Sequence, residues 1–146
     1  MKTFKKIFPC LFKKNKEVIN YITENKITWN EREIILLDKV NQYRKDNGLN
    51  ELIMDDTCYK LAQMRNTLNI NRGKISHDEF PATFKILIDL GCSWVGENLA
   101  YGYTNLDNLL SSWKKSDGHN KNILRNDWKY TGLAINGKYF CQIFAK

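Results

Sequence analysis

The 146-residue chain lacks several features that would each have pointed to a class of protein. It has no apolar run of about 18 residues, so the sequence predicts no membrane-spanning helix. It contains no HExxH, GxSxG or paired CxxC motif, so these common signatures of metalloproteases, serine hydrolases and zinc sites are absent. Histidine is scarce, with only two residues in the chain.

The net charge is small outside the first residues of the chain, because acidic residues nearly balance the basic ones there. The formal net charge is +7, and residues 1–16 carry six lysines and no acid. Subtracting 6 from 7 leaves +1 for residues 17–146, which argues against a broad basic face, so we expect no nucleic-acid partner.

The basic segment, residues 1–16, has an apolar face of its own. Five residues follow helical spacing: Phe4, Ile7, Phe8, Leu11 and Phe12. This spacing among lysines is typical of a segment that binds an anionic membrane surface. A solvated extension and a degenerate export signal are the alternatives. The apolar patch at residues 7–12 is shorter than the core of a signal peptide, so the sequence has no clear export signal.

The four cysteines, Cys10, Cys58, Cys92 and Cys141, have no metal-like spacing. Their even number allows disulfides, but four free thiols fit the sequence equally well. Cysteine usage therefore does not define the compartment.

Helical patterns come first in the chain and strand patterns come last. Asn30 and Glu33 predict a capping box, opening a helix that ends near Gly48. Its apolar face is predicted at Ile34, Leu37, Val40 and Tyr43. Further helices are predicted from Asp55 or Asp56 to about Arg72, at 82–91 and at 105–118. The last residues predict a hairpin that turns at Asn136-Gly137. This order indicates an α+β fold with a small, mostly antiparallel sheet flanked by helices.

Large apolar residues near the end of the chain predict part of the core. We expect Trp113 and Trp128 to be buried between the last helices and the sheet. Ile143 and Phe144 point in opposite directions along the final strand, so we expect one face of that strand to be core.

Two histidines and one glutamate form the polar set to which the sequence draws attention. His77 lies in SHDEF, His119 lies in DGHNKNIL, and Glu97 lies in the apolar run VGENLAYGY. A carboxylate in such a run needs partners, because burying an unpaired charge is costly. Imidazole and carboxylate groups together support proton transfer or metal binding. Ser116 adds a hydroxyl, so Ser116, His119 and Glu97 are candidate nucleophile, base and orienting group of a hydrolase.

Several motifs in order resemble the CAP superfamily, which comprises cysteine-rich secretory proteins, antigen 5 and pathogenesis-related 1. They are GENLAYGY, LLSSWKKSDGHNKNIL, TGLAI and YFCQIF. The opening VNQYRKDNGLNEL and the SH pair at His77 fit the small bacterial SCP-like branch. The resemblance covers about residues 31–146, which divides the chain into a basic extension, residues 1–28, and one domain, residues 29–146.

The resemblance implies a three-layer α–β–α sandwich around a shallow cleft. Many members line that cleft with two histidines and two acids that can hold a divalent metal. It therefore implies His77, Glu97 and His119 as metal ligands, with Zn²⁺ as the ion. Ser116 occupies the place of the second acid, which is a departure from the pattern.

The resemblance also implies a secreted or envelope-associated binding or effector module rather than an enzyme. Its ligand would be a lipid or a cell-envelope component, and we expect a monomer. Two alternatives stay open. One is a weak hydrolase that uses Ser116, His119 and Glu97. The other is a structural domain in which the polar set only specifies the core.

Overall fold

The computed structural model describes residues 27–146 and contains five helices and four strands within that range. They are α1 Glu31–Asp46, β1 Ile53–Met54, α2 Asp56–Arg72, α3 Phe80–Asp89, β2 Val95–Tyr101, α4 Leu106–Lys115, α5 Asp117–Ile123, β3 Tyr130–Asn136 and β4 Tyr139–Ala145. The predicted membrane-binding segment, residues 1–16, lies outside the described residues. Among those that are described, no helix combines the length and apolarity that crossing a membrane requires.

Side-chain caps confirm two of the predicted helix starts. The Asn30 side chain accepts the backbone N–H of Glu33 at 3.0 Å, and the Glu33 carboxylate accepts the Asn30 N–H at 3.0 Å. At the start of α2, the Asp55 carboxylate accepts the backbone N–H of Cys58 at 2.9 Å. Helix α2 then runs to Arg72, as predicted.

The predicted buried face of α1 is right at Val40, which is fully buried, and its other two members besides Ile34 are half-buried against the core. Ile34 is 44% exposed, whereas Leu36 is fully buried. Two charged residues of α1, Glu33 and Arg44, are fully buried as well. The Glu33 carboxylate accepts the backbone N–H of Ile135 in β3 at 3.0 Å. Hydrogen bonds of this kind let charged side chains enter a core, so apolar spacing alone could not identify the whole buried face.

The sheet has the strand order β1-β3-β4-β2. Strand β1 is parallel to β3, and the other two pairings are antiparallel, which confirms the mostly antiparallel sheet. Asn136 pairs with Tyr139, so the hairpin turn consists of Gly137 and Lys138. The turn lies one residue later than predicted, with Gly137 at a φ of 59°, a left-handed conformation that favours glycine.

Helices cover both faces of the sheet, and this gives the predicted α–β–α sandwich. Trp113 and Trp128 are buried, as expected, in the cluster under α1, α4 and α5. Phe144 belongs to that cluster, whereas Ile143 belongs to the cluster under α2 and α3. Both residues are fully buried. The expectation that only one face of β4 is core is therefore wrong, because a central strand between two helical layers buries both faces.

Helix α2 lies unusually close to the sheet at Gly132 of β3. A Cβ atom at this position would lie 1.9 Å from the backbone carbon of Cys58. Only glycine allows this approach. It presses α2 against the sheet, and α2 carries a side chain that organises the candidate site.

Candidate functional site

Three separate segments bring the predicted polar residues to one cleft. His77 comes from the loop between α2 and α3, Glu97 from β2 and His119 from α5. They line a cleft of about 450 Å³ together with Ser116, Gly118, Lys121 and Asn122. The three polar residues that the sequence singled out therefore converge on one cleft.

Glu97 lies in the middle of β2, and its side chain is 1% exposed. Its partner is Arg65 of α2, whose side chain is equally buried. Arg65 Nε lies 2.5 Å from Oε2 of Glu97, and Arg65 Nη2 lies 2.9 Å from Oε1. This two-point ion pair is the geometry that a guanidinium makes best with a carboxylate. Burial lowers the pKa of Arg65, but the hydrogen bonds to Glu97 outweigh burial and raise it overall.

Arg65 also anchors the loop that carries His77. Its guanidinium donates to the carbonyl of Ser76 at 2.6 Å and to the Glu79 carboxylate at 3.0 Å. Arg72, two helical turns further along α2, pairs with the same Glu79 carboxylate. Burial raises the pKa of Glu79, but the bonds from Arg72 and Arg65 lower it overall. The loop is therefore tied to α2 by buried and half-buried charges.

Nδ1 of His77 lies 2.8 Å from Oε1 of Glu97. The rest of the imidazole points outward, since the side chain is 60% exposed. The hydrogen bond to Glu97 raises the pKa of His77, and partial burial offsets only part of this effect. With Nδ1 occupied by the carboxylate, Nε2 of His77 is the nitrogen available to a ligand.

His119 occupies a very different environment on α5. Its ring is tilted against the buried ring of Trp113, with centroids 6.2 Å apart. Nδ1 of His119 is buried and has no hydrogen-bond partner. Burial lowers the pKa of His119, and the nearby His77 lowers it further. The neutral imidazole is thus favoured, and Nε2 is again the nitrogen left for a ligand.

Asn98 and Asn122 fix α5 against β2. The Asn98 side chain donates to the carbonyl of His119 at 3.1 Å. The Asn122 side chain donates to Oδ1 of Asn98 at 2.9 Å. Trp128 packs on Gly96, where an added Cβ would lie 2.9 Å from the indole. These contacts set the position of His119 relative to Glu97.

Ser116 lines the cleft, but no hydrogen bond joins it to an imidazole. Within residues 27–146 its hydroxyl makes no bond to His119, and the Glu97 carboxylate contacts His77 instead. A nucleophile needs its base within hydrogen-bond reach, and that base needs an orienting group. The structure does not connect Ser116, His119 and Glu97 in this way.

Glu97 does not fit the role of a direct metal ligand. Both of its oxygens accept hydrogen bonds from Arg65, and one also contacts His77. Within the described part of the chain, no group of three or more His, Cys, Asp or Glu side chains is arranged to hold a metal ion. His77 and His119 both line the cleft, and Glu97 lies behind His77, where a carboxylate orients an imidazole.

Arg65 is the functional residue that no motif identified. The helical pattern in the sequence predicts an apolar face on α2 at Cys58, Leu61, Ala62 and Leu68, of which all but the half-buried Leu68 are buried. The same helical spacing continues to positions 65, 66 and 69, all of which are polar and buried. Polar residues at these core positions of the helix are the feature of the sequence that indicates a buried polar network.

The cysteines give no sign of a disulfide among the described residues. Cys58, Cys92 and Cys141 are all free thiols there. Cys141 is fully buried, with its sulfur 3.9 Å from Oε2 of Glu97. Burial raises the pKa of Cys141, and the charge of Glu97 adds to this effect. The thiol is therefore a neutral part of the core beside the ion pair.

A mixed four-stranded sheet between two helical layers, with two histidines lining a cleft, is the α–β–α sandwich that the motif resemblance implied. The model of one family, described as the cysteine-rich secretory protein family (CAP), matches residues 37–144. The chain belongs to this family.

Two curated relatives come from Bacillus subtilis (strain 168). The chain is 27% identical over 115 residues to uncharacterized protein YkwD, covering 75% of this chain and 45% of the relative. It is 28% identical over 115 residues to uncharacterized membrane protein YlbC, covering 76% of this chain and 33% of the relative. The chain therefore spans less than half the length of these curated relatives.

Solved structures show the same fold. An outer surface protein from Borrelia burgdorferi has a TM-score of 0.74 and 24% identity, and the match covers 84% of this chain and 97% of that one. A cysteine-rich secretory protein from Staphylococcus aureus has a TM-score of 0.70 and 21% identity, with 83% and 41% covered. An extracellular protein with an SCP domain from Bacillus anthracis has a TM-score of 0.71 and 20% identity, with 83% and 45% covered.

Proposed function

We propose that this chain is an extracellular or envelope-associated binding module, and that the cleft lined by His77 and His119 holds a ligand without turning it over. The observation that carries this proposal is that both oxygens of the Glu97 carboxylate already have hydrogen-bond partners. Its carboxylate is bonded to Arg65 and His77, so it cannot serve His119 as the orienting group of a hydrolase. A cleft with two available imidazole nitrogens and no connected nucleophile is suited to binding.

The location rests on what similar proteins are. The Borrelia protein is named an outer surface protein, and the Bacillus anthracis protein is named an extracellular protein. YlbC is named a membrane protein. These names support a place at or outside the cell envelope for this chain.

Turnover assays test the proposal directly. The full chain is incubated with generic ester and peptide substrates beside Ser116→Ala and a control, Ser93→Ala, which changes an exposed serine outside the cleft. We expect no turnover that depends on Ser116. Turnover that persists in Ser93→Ala and vanishes in Ser116→Ala would establish the hydrolase instead.

A divalent metal ion such as Zn²⁺ is a second candidate for the cleft, favoured by the Nδ1 bond that Glu97 makes to His77. His77 and His119 would hold it, and the ion would act as a Lewis acid toward bound ligands. Calorimetric titration with Zn²⁺ should show modest affinity that is lost in His77→Ala and in His119→Ala. Cys92→Ser, which changes a partly exposed thiol elsewhere, should bind as the unmodified chain does. Identical heats in the unmodified chain and His119→Ala would remove the metal and leave the binding module standing.

A further inference from the structure

A groove continues from the His77–His119 cleft around α4. A second cavity of about 210 Å³ shares His119 with the cleft, and a third of about 460 Å³ shares Ser116 with it. The second and third cavities have Tyr103 and Ser112 in common. The three cavities therefore adjoin one another along α4, and together we call them the α4 groove.

The walls of the α4 groove are rich in hydroxyl groups. The third cavity is lined by three serines, one asparagine, one lysine and one tyrosine: Ser111, Ser112, Ser116, Asn108, Lys115 and Tyr103. The Tyr103 hydroxyl donates to Oγ of Ser112 at 2.7 Å, at the boundary between the second and third cavities. Without an aliphatic side chain in this cavity, a lipid tail would bury little apolar surface there.

Unpaired positive charge lies along the groove. Lys115 lines the third cavity and Lys121 lines the cleft, and within residues 27–146 neither forms an ion pair. The acid that lines the cleft is Glu97, which is 1% exposed and compensated by Arg65. The groove thus presents cations to a ligand without an exposed carboxylate in its lining.

The second cavity adds an exposed aromatic ring. Tyr101 is 53% exposed, and its ring packs against Tyr139 with centroids 4.6 Å apart. A ring fixed in this way offers a flat apolar surface beside polar groups. The C–H face of a sugar ring matches such a surface, while its hydroxyls match serine and asparagine side chains.

We propose that the α4 groove binds an acidic glycan, a chain of sugar units that carries carboxylate or sulfate groups. Lys115 and Lys121 attract its acidic groups, and the hydroxyls and amides of the walls bond to its sugar hydroxyls. From Asn108 to Ser116, eight residues of helical rise extend the groove by about 12 Å, which suits a chain better than one small ligand. This inference rests on the proposed binding function and names its ligand class.

Nuclear magnetic resonance titration of the full ¹⁵N-labelled chain tests this inference. The probes are a heparin oligosaccharide, an oligogalacturonate, a neutral dextran oligomer and poly-L-glutamate. We expect both acidic glycans to shift the amide signals of the groove, at residues 108–116 and around Tyr103, in a saturable manner. The readout is confined to these signals because the lysines of residues 1–16 would attract any polyanion.

The four probes separate sugar recognition from charge alone. Dextran should leave the groove signals unchanged, and poly-L-glutamate should shift them much less than the acidic glycans do. If only one acidic glycan binds, its carboxylate or sulfate groups identify the ligand. Equal shifts with poly-L-glutamate would contradict the glycan assignment and make the groove a site for acidic peptides.

Matched charge reversals locate the contact. Lys115→Glu and Lys121→Glu should each weaken glycan binding about fivefold or more, since one surface contact of this kind is worth about that factor. Lys129→Glu reverses an exposed lysine just before β3 that lines none of the three cavities, and it should bind as the unmodified chain does. Tyr101→Ala should also weaken binding.

Two outcomes would overturn the inference. One is the absence of groove shifts with both acidic glycans, and the other is an equal loss of binding in Lys129→Glu and Lys115→Glu. Either outcome, with no Ser116-dependent turnover, would remove the glycan and leave the binding module intact. Ser116-dependent turnover would instead overturn the proposed function itself.

Discussion

The two sides of the cleft hold the same kind of side chain by different means. On one side, His77 lies on a loop and is fixed by Glu97, which Arg65 fixes in turn. On the other side, His119 lies on a helix against the buried Trp113, and its Nδ1 has no partner. One imidazole is positioned by charge and the other by packing.

This difference shifts the pKa values of the two imidazoles in opposite directions. The bond to Glu97 raises the pKa of His77, whereas burial lowers that of His119. Pairs of titratable groups whose surroundings separate their pKa values supply a donor and an acceptor at one site. The pKa of His77 therefore lies above that of His119.

The largest expected effect comes from breaking the charged side. Arg65→Ala leaves the buried Glu97 carboxylate without its main partner, and we expect a loss of about 3–5 kcal/mol in the free energy of unfolding. Arg72→Ala is the matched control, because Arg72 also pairs with a glutamate but is more exposed, and its loss should be about 1 kcal/mol or less. Chemical denaturation measures both. Equal losses would contradict the central role of Arg65.

An effect of similar size should follow from breaking the packed side. Trp113→Ala removes a buried indole beneath His119, and we expect a loss of about 3–5 kcal/mol. Trp94 is 51% exposed, so Trp94→Ala should change stability by about 0.5 kcal/mol or less. Thermal unfolding compares the two, and an unchanged midpoint in Trp113→Ala would refute the packing described for His119.

A smaller effect should appear in how stability depends on pH. A histidine whose pKa is raised on folding stabilises the native state below its unfolded pKa of about 6.5, and this is lost as pH rises through the folded value. A lowered pKa contributes stability above about 6.5, and this is lost as pH falls through the folded value. His77 follows the first rule and His119 the second.

Single variants should separate the two contributions. In His119→Gln, where His77 remains, the free energy of unfolding should fall as pH rises above about 6.5. In His77→Gln, where His119 remains, it should fall as pH drops below about 6.5. The double variant His77→Gln/His119→Gln supplies the baseline from all other groups. Single variants that both follow the double variant would show that neither pKa is shifted by folding.

The sequence was sufficient for much of this arrangement because its signals are local. Caps at Asn30 and Asp55 set helix starts, since each depends on residues within one turn. Family motifs then indicated that His77, Glu97 and His119 share a cleft, and the structure brings them together there.

The rest depended on contacts between residues far apart in the chain. Glu33 and Arg44 enter the core because a backbone amide and backbone carbonyls of distant segments form hydrogen bonds with them, and apolar spacing does not reveal such residues. Arg65 depends in the same way on Glu97, which lies 32 residues away. No periodicity within one helix contains that information, although a polar residue at a core position indicates where to look.

The most direct test of the account is a ¹⁵N nuclear magnetic resonance titration of the two histidine side chains in the full chain. We predict two separate curves, with the pKa of His77 above the ordinary histidine value of about 6.5 and the pKa of His119 below it. In Glu97→Gln, the curve of His77 should move down while that of His119 moves little. Two overlapping curves near the ordinary value, unaffected by Glu97→Gln, would contradict the claim that Glu97, held by Arg65, raises the pKa of His77.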